Sequence, residues 1–314
     1  MSYNLSEITY PSKDGLHTIY AEIYTPKHCT SKGIVQLAHG MIDYVGRYEE
    51  LARRLTEEGY IFAGNHHLGH GKSASQADDY GFFAERDGVS MVLRDMHTLN
   101  RRLRSEFPSL PLVIFGHSMG SFLSRLYIER YPHSIKASVI HGTAGPNSAA
   151  SVGRALCGLI GKVKGSHHRS KFIEKLAFGG YNSHFDKSEG KNAWLTRDVS
   201  AVSGRDSDPY TNFKFTVSGY SDLFWMLRES NSKSWFENYP KHLPTLIMSG
   251  EDDPVGNYGK GPEYVYKHLM LAGCDKISLK SYEGARHELF NETNKREVFD
   301  DLISWLDSVT GAVR

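Results

Sequence analysis

The sequence predicts an α/β domain: a mostly parallel central sheet with helices on both faces and a helical insertion. Three observations carry this. Short apolar runs alternate with amphipathic stretches over most of the 314 residues. The alternation stops between about 145 and 240, where only helix-like patterns remain. Finally, Pro111-Leu112-Val113-Ile114-Phe115 runs into Gly116-His117-Ser118-Met119-Gly120 and leaves as the helix-like stretch Ser121 to Ile128. A buried strand that turns sharply at a serine lifts that hydroxyl above the strand ends, where the first amides of the next helix face it.

Taken in order, Glu7 to Tyr10 and His17 to Tyr24 are β-rich runs joined by Ser12-Lys13-Asp14-Gly15, which predicts a hairpin. Gly33 to Ala38 reads as a buried strand ending in His39-Gly40-Met41. A helix is expected from Arg47 to Glu58, with Leu51 and Leu55 inward and Gly59 as its stop. Tyr60 to Gly64 is the next strand and leads into a glycine-rich turn from Asn65 to Ser73. Val89, Val92, Leu93, Met96, Leu99 and Leu103 fall three and four apart, a helix stopped by Pro108. Lys136 to Gly142 is another strand. Successive strands separated by helices imply parallel pairing through right-handed crossovers.

The insertion divides the chain into a first core segment (1–144), a helical cap (145–240) and a second core segment (241–314). Val152, Ala155, Leu156, Leu159, Ile160 and Val163 mark one helix of the cap, Phe172, Ile173 and Leu176 a second, and Tyr220, Leu223, Phe224 and Leu227 a third. The stretch from Gly179 to Pro209 reads as polar loop dotted with aromatics. An insertion directly after a strand's C-terminal end lies over the edge where open α/β sheets bind ligands, so the cap is expected to form a pocket. Beyond it, Pro244 to Gly250 and Lys276 to Tyr282 are strands, Gly261 to Ala272 and Lys295 to Val309 helices.

Composition narrows the class. A formal net charge of +1 gives no reason to expect nucleic acid as a partner. No apolar run reaches membrane-spanning length, and the opening Met-Ser-Tyr-Asn-Leu-Ser-Glu lacks the layout of a signal peptide. Cys29, Cys157 and Cys274 are odd in number and widely spaced, which argues against a disulfide framework or a zinc site and for the cytoplasm.

A serine hydroxyl needs a base near pKa 7, held in the right tautomer by a carboxylate. In the layout where a strand, a sharp Gly-x-Ser-x-Gly turn and a helix present the nucleophile, the triad runs in the chain order serine, Asp or Glu, histidine, each on a loop after a strand. Ser118 follows one strand, Asp252 or Asp253 a later one and His287 the last. With 16 histidines present, only its position after the final strand distinguishes His287. The Met119 amide is one expected oxyanion donor, and the loop after the third strand supplies another.

Five blocks carry a resemblance: His39-Gly40-Met41 with Gly46-Arg47-Tyr48; His67-Leu68-Gly69-His70-Gly71-Lys72-Ser73; Gly116 to Gly120; Gly250-Glu251-Asp252-Asp253-Pro254-Val255; and Tyr282-Glu283-Gly284-Ala285-Arg286-His287-Glu288. In this order the chain resembles the α/β-hydrolase group that holds monoacylglycerol lipases and lysophospholipases. The resemblance implies the α/β-hydrolase fold and hydrolysis of single-chain lipid esters through an acyl-enzyme on Ser118. It aligns Asp253, rather than Asp252, with the catalytic acid, and places the second oxyanion amide at Met41. It sets Asp43 and Arg47 where the family keeps an acid and an arginine near the polar head of the substrate; a loop-anchoring ion pair between them is an equal reading. His67 and His70 become scaffold residues, and neither metal nor cofactor is implied. His66 stands where the family commonly has an acid, which bears on the hydrogen bonds of that turn. The partners implied are a small-molecule or lipid ester and at most a transient membrane-surface contact through the cap. The same core also serves short-chain carboxylesterases, thioesterases, peptidases and non-catalytic binding proteins.

Overall fold

The structure, a computed structural model, describes residues 2–311. Strands β1 (Tyr3–Pro11) and β2 (Thr18–Pro26) form the expected hairpin, with Tyr3 opposite Pro26 and Pro11 opposite Thr18. Asp14 Oδ1 accepts from the amides of Leu16 and His17, and Gly15 takes φ 78°, which closes the turn. The chain continues through β3 (Gly33–Ala38), α1 (Glu49–Glu57), β4 (Tyr60–Asn65), α2 (Gly88–Glu106), β5 (Leu112–His117), α3 (Met119–Arg130) and β6 (Ala137–His141). Five helices follow: α4 (Ala149–Lys164), α5 (Lys171–Phe178), α6 (Val199–Ser207), α7 (Val217–Glu229) and α8 (Lys233–Asn238). The sheet then resumes with β7 (Thr245–Gly250), α9 (Lys260–Leu271), β8 (Ile277–Tyr282) and α10 (Lys295–Thr310).

The sheet runs β1-β2-β4-β3-β5-β6-β7-β8. The first two strands are antiparallel to their neighbours, and every pairing from β4/β3 to β7/β8 is parallel. Strands β3 to β7 are buried along their whole length. Such strands face helices on both sides and therefore read as continuous apolar runs. Val113 and Phe115 pack with Leu51, Phe299 and Leu302 of α1 and α10, while Ile114 between them packs with Met96 and Leu123 of α2 and α3. This is the α/β-hydrolase arrangement.

Between β6 and β7 the structure differs in detail from the sequence reading. α6 lies in the stretch read as loop. It buries only Val202 and carries three serines and Gly204, so it has no apolar period; Asp198 caps it by accepting from Ser200 N and Ala201 N. α8, six residues long, buries Trp235 and Phe236 and is capped by Ser232. α4 occurs where its periodicity predicts, with Leu156 and Ile160 packed against the core, but Val152, Leu159 and Val163 face outward at 60, 62 and 83% exposed. Ala150, Gly153 and Cys157 are the buried ones. A Cβ on Gly153 would lie 2.7 Å from the Phe224 ring of α7, so small residues set the close approach of these two helices.

Arg125 of α3, about two turns on from the turn that carries Ser118, ties the segments after β6 and after α7 to α3. Its guanidinium donates to Ala144 O at 3.2 Å, to Ser230 O and to Asn231 Oδ1 at 3.0 Å, and lies over the Trp235 ring. It is fully buried with only neutral acceptors, and burial pushes its pKa down to about 9.

The closest backbone approach is at Gly120, where an added Cβ would meet Ala38 O at 1.9 Å and His39 O at 2.6 Å. Glycine to alanine inside a helix normally stabilises by about 1 kcal/mol. Here the sign should reverse: Gly120→Ala is expected to cost about 3 kcal/mol or more, because the obstacle is backbone that cannot move without breaking the β3–β5 ladder. Urea unfolding of the variant checks this.

Candidate active site

Ser118 occupies the turn between β5 and α3 with φ 56° and ψ −121°. Positive φ is costly for a residue with a Cβ, and the neighbours hold it there. Ser118 N donates to His141 O at 2.9 Å, and Ser121 donates to Ser118 O from both its amide and its hydroxyl. The flanking glycines are required by space as well: a Cβ on Gly116 would lie 2.3 Å from Gly120 O. α3 begins at Met119, so the Met119 amide belongs to the first turn and has no intrahelical acceptor. From the other side, the loop after β3 comes in at Gly40, where an added Cβ would be 3.3 Å from Ser118 Cβ. Met41 and Ile42 follow, and Ile42 also takes a positive φ of 54°.

His287 and Asp253 meet in the loops after β8 and β7. His287 Nδ1 donates to Asp253 Oδ2 at 2.8 Å, and Asp253 Oδ1 accepts from Val255 N. Asp253 is 0% exposed; Asp252 is exposed and lies beside Tyr258 and Arg286 in a separate surface depression. His287 Nε2 has no hydrogen-bond partner among the described residues. Ser118, His287, Met41 and Met119 line one cavity of about 460 Å³. Its apolar wall comes from α3, α5 and α7 and includes Phe122, Leu176, Phe178, Leu223 and Phe224. Of the aromatics singled out in the sequence, Trp194 lies 5.1 Å from the His287 ring, ring centre to ring centre, and Phe224 also lines the cavity. Tyr220 is part of the buried core and Trp225 packs against it.

Asp43 and Arg47 are brought together at the same cavity. Arg47 bridges Asp43 Oδ1 and Glu288 Oε2, each at 3.0 Å, and Tyr48 OH donates to Asp43 Oδ2. Burial alone would raise the Glu288 carboxyl, but Arg47 and Arg205 outweigh it and bring it down to about 2. The sequence reading did not single out Glu288 and Arg205. They lie 241 and 158 positions from Arg47 along the chain, beyond any local pattern.

The histidine-rich turn is a hydrogen-bonded scaffold. His39 Nδ1 donates to Gly40 O, leaving its Nε2 to accept from His67 N at 3.0 Å; burial takes its pKa down to about 3. His70 donates to Leu68 O and is likewise pushed down to about 3. His66 Nδ1 accepts from Lys72 N, so its Nε2 donates to Glu22 Oε1 at 3.1 Å. Glu22 of β2 thus supplies a carboxylate beside the position where the resemblance leads one to expect an acid. Behind His287, His117 and His141 share a hydrogen bond between their Nδ1 atoms at 2.8 Å. Among the described residues, no group of three or more His, Cys, Asp or Glu is placed to hold a metal ion.

A parallel sheet with a serine on the β5–α3 turn and an Asp–His pair on later strand ends defines an α/β-hydrolase. The chain belongs to the Serine aminopeptidase, S33 family, whose model matches residues 30–294. It is similar to a monoacylglycerol lipase of Mycolicibacterium smegmatis, 27% identical over 98% of this chain and 99% of the relative. It is also similar to the Homo sapiens monoglyceride lipase, 27% identical over 90% of this chain and 84% of that protein. Among solved structures it superposes on a thermostable carboxyl esterase from Bacillus coagulans in complex with glycerol. The TM-score is 0.91 at 29% identity, covering 98% of this chain and 99% of that one.

Proposed function

We propose that the protein hydrolyses carboxylic esters of single-chain lipids, monoacylglycerols first among them, through an acyl-enzyme on Ser118. The observation that carries this reading is that Ser118 and His287, the latter paired with the buried Asp253, line one cavity whose wall also takes the apolar Phe122, Leu176, Phe178, Leu223 and Phe224. Its volume of about 460 Å³ falls within the range of about 300–1,000 Å³ usual for small-molecule sites. His287 Nε2 takes the Ser118 proton as Oγ attacks the ester carbonyl, and Asp253 stabilises the imidazolium that forms. The Met41 and Met119 amides hold the oxyanion. His287 then returns the proton to the leaving alcohol, and the same base activates water to release the acid.

The polar groups at the cavity, Asp43, Arg47 and Glu288, suit a hydroxyl-bearing alcohol, and the apolar wall suits an acyl chain. The similar esterase was solved in complex with glycerol, the alcohol a monoacylglycerol would release. A panel of p-nitrophenyl esters and monoacylglycerols from two to sixteen or so carbons tests the reading. Highest kcat/KM with chains of about eight carbons or more supports it. Preference for acetyl would replace it by a short-chain carboxylesterase.

No helix among the described residues is long and apolar enough to cross a membrane. The outward Val152, Leu159 and Val163 of α4 and the exposed Phe172 of α5 instead offer an apolar face for transient contact with a lipid surface. Changing Leu159 and Val163 together to Glu is expected to slow hydrolysis of vesicle-borne monoacylglycerol about threefold or more while leaving soluble p-nitrophenyl acetate within about twofold. Equal rates on vesicles would remove this face from the reading.

A further inference from the structure

One short segment of the helical stretch grips the loop that carries the proposed oxyanion amide. Arg205 of α6 donates from Nη2 to Ile42 O at 3.2 Å. Three residues further on, Asp208 Oδ2 accepts from Tyr44 OH at 2.6 Å, and the Tyr210 ring meets the Tyr44 ring edge-on at 5.2 Å. The grip falls on strained backbone: Ile42, a β-branched residue, is held at φ 54°, a region such side chains disfavour. Ile42 is the residue after Met41. Arg47 and Tyr48 reach the Asp43 side chain instead, and among the described residues only Arg205 bonds the Ile42 carbonyl from a side chain.

Arg205 is placed for this role by two further facts. Its side chain is 13% exposed, and its Nε lies 3.9 Å from Glu288 Oε1, the residue after His287. Arg205 therefore spans the loops after β3 and β8, which bring in the oxyanion amide and the base. Its charge is balanced there, because Asp43 and Glu288 face Arg47 and Arg205. Ile42 φ acts on the Met41–Ile42 peptide, whose far end is the Met41 Cα that also bears the Met41 amide, so relaxation of Ile42 toward negative φ once its carbonyl is released shifts Met41 with it.

We propose that Arg205 is a positioning residue for ester hydrolysis. By holding the Ile42 carbonyl it keeps the Met41 amide aimed at the oxyanion, so the site is complete only while the segment from α6 to Tyr210 is seated on the β3 loop. Closure of the helical stretch and competence of the chemistry are then one event. This inference rests on the reading of Ser118 as nucleophile and Met41 as oxyanion donor.

The test compares kcat and KM of the wild type, Arg205→Met, Arg205→Lys and Tyr44→Phe on p-nitrophenyl acetate and on a twelve-carbon or so monoacylglycerol. Misplacement of reacting groups by about 1 Å costs about 100-fold, so Arg205→Met should lose about 10- to 100-fold in kcat on both esters, with KM changed less than about twofold. Arg205→Lys, which can still donate to Ile42 O, should recover most of the loss, and Tyr44→Phe should lose a smaller factor on both substrates. A loss confined to the monoacylglycerol and appearing in KM makes Arg205 a ligand of the alcohol and overturns the proposal, as does an unchanged kcat. If Arg205→Met does not fold, Tyr44→Phe decides: wild-type kcat in it overturns the proposal, and reduced kcat on both esters, with Arg205→Lys close to wild type, supports it. Ser118→Ala, run alongside, separates the two readings, since activity in that variant removes the nucleophile and not merely its positioning.

Discussion

Ser118→Ala is expected to lower kcat about 10⁶-fold while leaving the protein folded and KM little changed. The size follows from what remains. The Asp253–His287 pair survives, but with no hydroxyl to deprotonate its base has only water to activate, in a site shaped for attack from the β5–α3 turn. The Met41 and Met119 amides survive too, and with substrate binding they leave a residual rate about 10³-fold over water. Stability should move little, because among the described residues the Ser118 hydroxyl makes no hydrogen bond that holds the turn; its backbone amide and carbonyl do that work. Ser118→Gly separates the two properties further. Both variants lose the chemistry, but glycine also relieves the φ of 56°, so it should be more stable than the alanine variant by about 1 kcal/mol. Single-turnover kinetics with a p-nitrophenyl ester and thermal unfolding of the three proteins provide the readout. A fluorophosphonate that labels the wild type and fails on Ser118→Ala identifies the same oxygen independently. Retention of more than about one-thousandth of wild-type kcat would place the nucleophile elsewhere.

The inner sheet was legible because β3 to β7 bury both faces and so appear as unbroken apolar runs with glycine or proline at their ends. The turn at Ser118 was legible for a related reason. Gly116 and Gly120 stand where a Cβ would strike backbone or a side chain, and a steric demand of that kind leaves its mark in the sequence. α6 left none: one buried valine among serines has no period, and what fixes the helix is a cap at Asp198 and the side-chain grip of Arg205 on Ile42. The orientation of α4 was misleading for the opposite reason. Three of its large apolar residues, Val152, Leu159 and Val163, share the helical period but face outward; Leu156 and Ile160 pack against the core, and the fully buried positions are Ala150, Gly153 and Cys157, whose small size signals close approach only once Phe224 is known to lie opposite. The Asp43–Arg47–Glu288–Arg205 chain of ion pairs joins four residues from two loops and a helix. Ion pairs formed by loops meeting in space obey no sequence spacing, so only the Asp43–Arg47 half, four residues apart, could be suspected beforehand.

Asp253→Asn should lower kcat about 10⁴-fold, and Asp252→Asn should leave it within about twofold. The two aspartates are adjacent in sequence, so spacing alone cannot rank them, and each could lend a carboxylate to a nearby base. Their surroundings differ sharply. Asp253 has no exposed surface, accepts a hydrogen bond from His287 Nδ1 at 2.8 Å and is itself fixed by Val255 N. Asp252 is exposed, and its neighbours across the surface depression are Tyr258 and Arg286. In the native pair the carboxylate can only accept, so the proton stays on Nδ1 and the Nε2 lone pair is left for the Ser118 hydroxyl. An asparagine amide at the same place can donate to Nδ1, which moves the imidazole proton to Nε2 and removes the base without moving the ring. For Asp252 to rescue that variant, successive residues would have to exchange sides, and the Asp252 amide is held by Ala285 O at 2.9 Å. A rescue would therefore require the loop after β7 to rebuild. The pairing of variants gives the result its meaning. If Asp253→Asn stays within about 100-fold of wild type and the double variant falls the rest of the way, Asp252 is substituting and the loop is softer than its hydrogen bonds suggest. A full loss in Asp253→Asn alone ties the imidazole tautomer, and through it the reactivity of Ser118, to a single buried carboxylate.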